Sequence, residues 1–308
     1  MISRTLIAVS IMFSLAGLGA TSRPAAAQAI SADPLLRPVQ LVRATVAKEI
    51  AAANDTSIKH MFRDYKKSAQ GTQTRLYVET REAMAGMTIA YNDKPLTPQQ
   101  LQGEQGRLAG LLSNPQQLEH KRRQEKEEAD HTLSIVKALP DAFLFEYDGS
   151  EAGTATLGRE GVRLVRLRFR PNPSYRPPSH VEDVLVGMAG ILLIDPEAQR
   201  IARIDGTLFK EVTFGWGILG HLDKGGHFLV EQEGVGDGSW DVSRMSLSFS
   251  GKIFLFKSIA MRSDEIFSGF QRVPADTSFA QGVQMLNAER VKLSEGRAET
   301  AKAEASSR

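Results

Sequence analysis

Six histidines are the natural place to look for chemistry: His60, His120, His131, His180, His221 and His227. His221 and His227 bracket the turn Asp223-Lys224-Gly225-Gly226, so together with Asp223 they could touch a metal ion, although histidines beside a turn are more often just solvated. No H-E-x-x-H pairs two histidines on one helix turn, and His120 and His131, eleven positions apart, share a face of a charged helix. Nucleophile patterns are as sparse. Ser179 precedes His180 without a third group in sequence to orient it, there is no G-x-S-x-G, and the chain has no cysteine. Gly234-Val235-Gly236-Asp237-Gly238 is the nearest approach to a phosphate loop. It lacks the Lys-Ser/Thr of a Walker motif and lies between strands, so it reads as a hairpin turn. Asp183, Asp195, Asp205 and Asp223 occupy turns and strand exteriors, where carboxylates are ordinary. The expectation is a protein without catalytic residues, metal or cofactor. A hydrolase with dispersed residues at the His221–His227 turn is the enzymatic alternative.

The N-terminus says where such a protein would work. Arg4, the apolar stretch Leu6–Leu18 and the small-residue site Ala27-Gln28-Ala29 form a signal peptide over residues 1–29. Cleavage after Ala29 predicts a periplasmic product, and it removes Arg4 and Arg23, bringing the formal charge of +2 to zero. A neutral chain with scattered charges offers no footprint for nucleic acid. Without cysteine there are no disulfides and no acylated lipoprotein N-terminus, and no later run is apolar enough for a transmembrane span.

The elements that must position any site divide into helical and alternating stretches. Val39, Val42, Val46 and Ile50 form one stripe of a helix over 38–53. Strands are expected at 74–80 and 87–91. Thr97-Pro98-Gln99-Gln100 and Asn114-Pro115-Gln116-Gln117 open a helical hairpin of 97–112 and 115–138, inserted as a unit at about 97–138. The charged middle of its second helix reads as a solvated face laced by i,i+4 pairs. Alternation then takes over. Phe143, Phe145 and Tyr147 line a strand ended by Asp148-Gly149, and further strands follow at 162–170, 184–194 and 200–213. In the last of these Ala202, Ile204, Leu208 and Val212 face one way. A hairpin at 223–226 precedes Phe228 and Val230, Met245, Leu247 and Phe249 share a face, and Gly251 reverses the chain. Close turns between short strands make an antiparallel meander from 142 to 258, within a single α+β domain over 30–283. Residues 284–308, rich in Ala, Glu, Lys and Ser, read as a frayed helix or disordered tail.

The segment Gly190-Ile191-Leu192-Leu193-Ile194-Asp195-Pro196, followed by Ile201-Ala202-Arg203-Ile204-Asp205-Gly206-Thr207-Leu208, resembles a hairpin of the outer-membrane lipoprotein-sorting proteins, the LolA/LolB-like group. Gly225-Gly226-His227-Phe228, Gly238-Ser239-Trp240 and Gly251–Phe256 extend the resemblance over about 142–258. It implies a curved antiparallel sheet, a half-barrel covered by helices, whose concave face lines a cavity for acyl chains. The more apolar faces of three strands nominate Ile204, Leu208, Val212, Phe228, Val230, Met245, Leu247 and Phe249 as that lining. The function so implied is non-enzymatic binding of lipid or an acylated lipoprotein in the periplasm. The competing reading is an envelope scaffold that docks a protein partner through the charged helix at 115–138.

Overall fold

The computed structural model describes residues 37–214, 220–253 and 257–306; residues 1–29, expected to be a signal peptide, lie outside them. Among the described residues four helices, α1 (Pro38–Asn54), α2 (Pro98–Ser113), α3 (Pro115–Ala142) and α4 (Phe279–Ser306), accompany one large antiparallel sheet. Its strands are β1 (Lys59–Ser68), β2 (Gly71–Val78), β3 (Ala85–Tyr91), β4 (Lys94–Pro95), β5 (Phe143–Ala152), β6 (Arg163–Pro171), β7 (Met188–Asp195) and β8 (Arg200–Leu208). The rest are β9 (Val212–Phe214), β10 (Gly220–Leu222), β11 (His227–Val235), β12 (Ser239–Ile253) and β13 (Lys257–Val273).

The sheet order is β4-β3-β2-β1-β13-β12-β11-β8-β7-β6-β5, with β9 and β10 as a side flap on β12. Two meanders, one from each half of the chain, are joined where β1 pairs β13, from Lys59 opposite Val273 to Ser68 opposite Ser263. β4 and β5 remain edges, so the curved sheet does not close into a barrel.

Each face of the sheet buries its own helices. α1 and the end of α3 bring Leu41, Val42, Val46 and Leu139 against residues of β5–β8, β11 and β12. α2 and α4 bring Leu108, Phe279, Val283 and Leu286 against Leu76, Val78, Ala85 and Met87 of β2 and β3. Alternation along β1 separates the two layers. Met61 joins the α4 side, whereas the ring of Phe62 lies 6.2 Å from Phe267, which packs with the α1 side.

The helical hairpin forms as its sequence signals direct. The Thr97 hydroxyl accepts from the Gln100 amide while the Gln100 side chain accepts from the Thr97 amide. The Asn114 side chain accepts from the Gln117 amide without the reciprocal bond. The charged stretch of α3 forms the Lys121–Glu125 and Lys126–Asp130 pairs one turn apart. Glu125 also accepts from the Met84 amide at 2.9 Å, tying α3 to the start of β3.

Several local expectations need correction. The apolar run at 184–194 opens as a 3-10 turn, Glu182–Gly187, whose Gly187 passes close against the Val212 side chain, and the strand starts at Met188. The first strand after α3 does not stop at Gly149 but continues through an irregularity to Ala152, leaving Tyr147 exposed. In β8 an extra residue between the Leu193–Arg203 and Ile194–Ile201 pairs turns Ala202 away from Ile204. Ala202 packs instead with Leu164, Leu193 and Trp240 on the other side. The 223–226 turn does not join two paired strands: β10 pairs β9 and β12, while Gly225 and Gly226 bond to Leu208. Gly251 does not reverse the chain. It lies inside β12, which continues to Ile253, and any Cβ there would strike the His221 carbonyl of β10. β1 and β13 are strands that no clear alternation announces. The closing helix begins at Phe279, and its Leu286 is fully buried, so the segment after 284 starts inside the fold.

Candidate functional site

Between α1, α3 and the sheet lies a half-enclosed cavity of about 90 Å³. α3 contributes Ile135, Val136 and Leu139, the 3-10 turn contributes Val184 and Leu185, and the sheet supplies its floor. Of the eight residues nominated by the strand pattern, Ile204, Phe228, Val230, Leu247 and Phe249 line this cavity. Leu208, Val212 and Met245 do not; they are buried in the adjoining packed core. Leu208 and Met245 have no exposed surface, so they act as filling behind the wall.

The polar side chains on the lining are Glu49, Thr132 and Gln232. Glu49 lies seven residues after Val42 on the buried stripe of α1, so the helix itself drives a carboxylate into the core. There it is fully engaged. The Arg200 guanidinium donates to both its oxygens at 2.9 and 3.0 Å, and the Ile201 amide donates at 2.8 Å. Arg200 also sits over the Trp240 ring, 5.6 Å from its centre. The pair is thus internally neutral. The Thr132 hydroxyl donates to the Glu128 carbonyl.

Gln232 is different. It follows Phe228 and Val230 on the inward face of β11, opposite Val242, and is 97% buried, yet its Oε1 accepts no hydrogen bond. The apolar pattern alone does not single it out. Its one mark in the sequence is a carboxamide standing where strict alternation asks for an apolar side chain.

A second polar site lies at the far end of the same hairpin. The buried His60 ring bonds Asp241 through Nδ1 at 2.8 Å and Asp237 through Nε2 at 2.9 Å. Both ring nitrogens of His60 thus lie within hydrogen-bond distance of a carboxylate oxygen. Its peptide N–H donates to Glu79 at 2.7 Å, and Phe270 meets the ring edge-on. Asp237 would be pushed up by burial, but hydrogen bonds from Ser239 and His60 outweigh this and hold it below the usual carboxylate range. Glu233, in the same cleft, is pushed up by burial and by the charge of Asp241. A histidine with both nitrogens committed to carboxylates has none to offer a substrate.

The other candidate residues disperse. His227 bonds Asp205 at 2.9 Å rather than meeting His221. His221 lies 3.3 Å from Asp223, and these two with Glu211 form the one group among the described residues whose atoms could converge on a cation. Asp183 pairs His180, and Asp195 accepts from Arg159 and from the amides of Glu197 and Ala198 in its own turn. Asp183, Asp195, Asp205 and Asp223 therefore each have their own local partner, and none is paired with another.

No family model matches the sequence, and no curated protein does. Among solved structures the chain is similar to a DUF1329 family protein from Desulfovibrio piger, with 10% identity and a TM-score of 0.26, over 76% of this chain and 93% of that one. Among the described residues, no helix is long and apolar enough to cross a membrane.

Proposed function

We propose that this is a non-enzymatic protein of the bacterial periplasm that binds one short apolar chain, such as part of a lipid acyl chain, in the cavity under α1 and α3. One observation carries the reading: an almost wholly apolar cavity between the sheet and α1 and α3, five of whose walls are residues that strand alternation independently assigns to one face. Its volume has room for roughly six to nine water-sized groups. Each methylene transferred there contributes about 0.8 kcal/mol, enough for micromolar to submillimolar binding of a single chain without any polar chemistry. The engaged state of His60 and the scattering of the remaining histidines and aspartates favour binding over hydrolysis.

Native mass spectrometry of protein purified from its own periplasm tests this, together with saturable binding of the uncharged dye Nile red. The expected result is a co-purified lipid mass and displacement of the dye by chain-bearing ligands. Protein free of lipid that also fails to bind the dye would leave the scaffold reading. N-terminal sequencing of the same preparation should begin at Ile30; a start at Met1 removes the export element of the proposal.

A further inference from the structure

Taking the cavity as a chain-binding site, we infer that it selects a molecule whose apolar chain ends in an uncharged hydrogen-bond donor, a hydroxyl or an amide N–H, seated against Gln232. Three observations combine. First, Gln232 lines the cavity, is 97% buried and has an Oε1 with no hydrogen-bond partner. A buried acceptor left unmade is destabilising, and a carboxamide cannot relieve the cost by titrating, so a donor brought by the ligand stabilises more here than in water.

Second, the nearby charges are already matched. Arg200 commits its guanidinium to both oxygens of Glu49, and Ile201 supplies that carboxylate with a further donor. Among the described residues, no cation on this lining remains to receive a carboxylate or phosphate, which would enter an apolar space unpaired. A fatty acid could enter only in its protonated form, with the free-energy cost of holding that proton near neutral pH.

Third, the position is built into the strand pairing. Gln232 continues the inward series Phe228, Val230 along β11, and β12 carries an extra residue, Ser243, between the Glu231–Arg244 and Gln232–Val242 pairs. That bulge keeps Val242 and Met245 in the same buried apolar cluster as Val230, so the carboxamide continues a face whose strand neighbours are apolar.

The experiment uses the mature protein and Nile red displacement at about pH 8, where a fatty acid is ionised, with three ligands of equal chain: 1-decanol, methyl decanoate and sodium decanoate. Decanol should compete best, the ester, which accepts but cannot donate, roughly tenfold worse, and decanoate worst. Gln232→Leu should bring decanol and the ester to near equality, each measured against the variant's own affinity for the dye. Equal competition by all three in the parent protein, as a water shared between head group and Gln232 would produce, overturns the inference while chain binding stands. Preference for the ester or for decanoate also overturns it. Displacement by none of the three removes the chain-binding reading and this one with it. The parent ladder decides the matter even if Gln232→Leu fails to fold.

Discussion

The β11–β12 hairpin runs between two neighbourhoods that treat buried polar groups in opposite ways. Near its tip, Asp237 and Asp241 close on both nitrogens of His60, and the ring is engaged on both sides. A few residues along, Gln232 projects among Phe228, Val230 and Val242 with its carbonyl oxygen unbonded. The first arrangement is complete without a visitor and holds strands together; the second is completed only by something that enters. Asp64 on β1 offers a third solution. It is buried with one oxygen unpartnered, and burial, reinforced by the charge of Glu265 and opposed by Lys66 and Arg75, pushes its pKa up to about 7. A carboxyl can take a proton in place of a partner. A carboxamide cannot, which is why Gln232 points to a ligand and Asp64 to pH.

The contrast is sharpest where the complete cluster is broken. His60→Leu leaves the Asp237 and Asp241 carboxyl groups buried without the ring that bonds them both and should cost about 3–5 kcal/mol in urea unfolding. The loss belongs to pH values above the ordinary carboxylate range. Asp237, held below that range, contributes fully there and loses its contribution as the solution is acidified through its folded value. A cost below about 1 kcal/mol would show that cleft water replaces the imidazole.

Asp64→Asn tests the titrating solution. A carboxyl whose folded pKa is raised loses stability for the protein as pH climbs from about 4 towards 7, so the parent should weaken over that window. The variant should be flatter, and roughly 2–4 kcal/mol more stable at about pH 8. Parallel stability curves for the two proteins would sink the assignment.

Leu208 and Leu247 compare the filled core with the cavity wall. Leu208→Ala removes a fully buried side chain away from the cavity and should cost about 3–4 kcal/mol. Leu247→Ala enlarges a space that already exists, so a loss nearer 1–2 kcal/mol is expected, with weaker Nile red binding. Equal losses with unchanged dye binding would mean that the wall is ordinary core. The smallest effect belongs to α3. Lys126 and Asp130 are both well exposed, so Lys126→Ala should shift stability by only a few tenths of a kcal/mol.

Much of the inward face is legible in the sequence because Phe228 and Val230, and Met245, Leu247 and Phe249, alternate without interruption. Capping residues likewise announce α2 and α3. Legibility fails where the period slips. The extra residues at Ala202 and Ser243, and the irregularity near Gly269, each transfer the apolar set to the opposite parity, and nothing in composition marks the step. β1 and β13 escape for another reason. Both faces of β1 carry charge, Arg63 and Lys67 on one side and Asp64 and Lys66 on the other, so no clean alternation exists to read. Glu49 and Gln232 are polar residues at apolar positions, visible only as interruptions of a pattern and interpretable only once their surroundings are known.

The seam between β1 and β13 also governs when this molecule can take shape. Lys59 meets Val273 across roughly two hundred residues, and neither meander is flanked on that side until the two strands zip together. Assembly therefore waits on nearly the last strand to emerge, and a nascent chain lacking it has two unfinished sheet edges and no continuous concave wall.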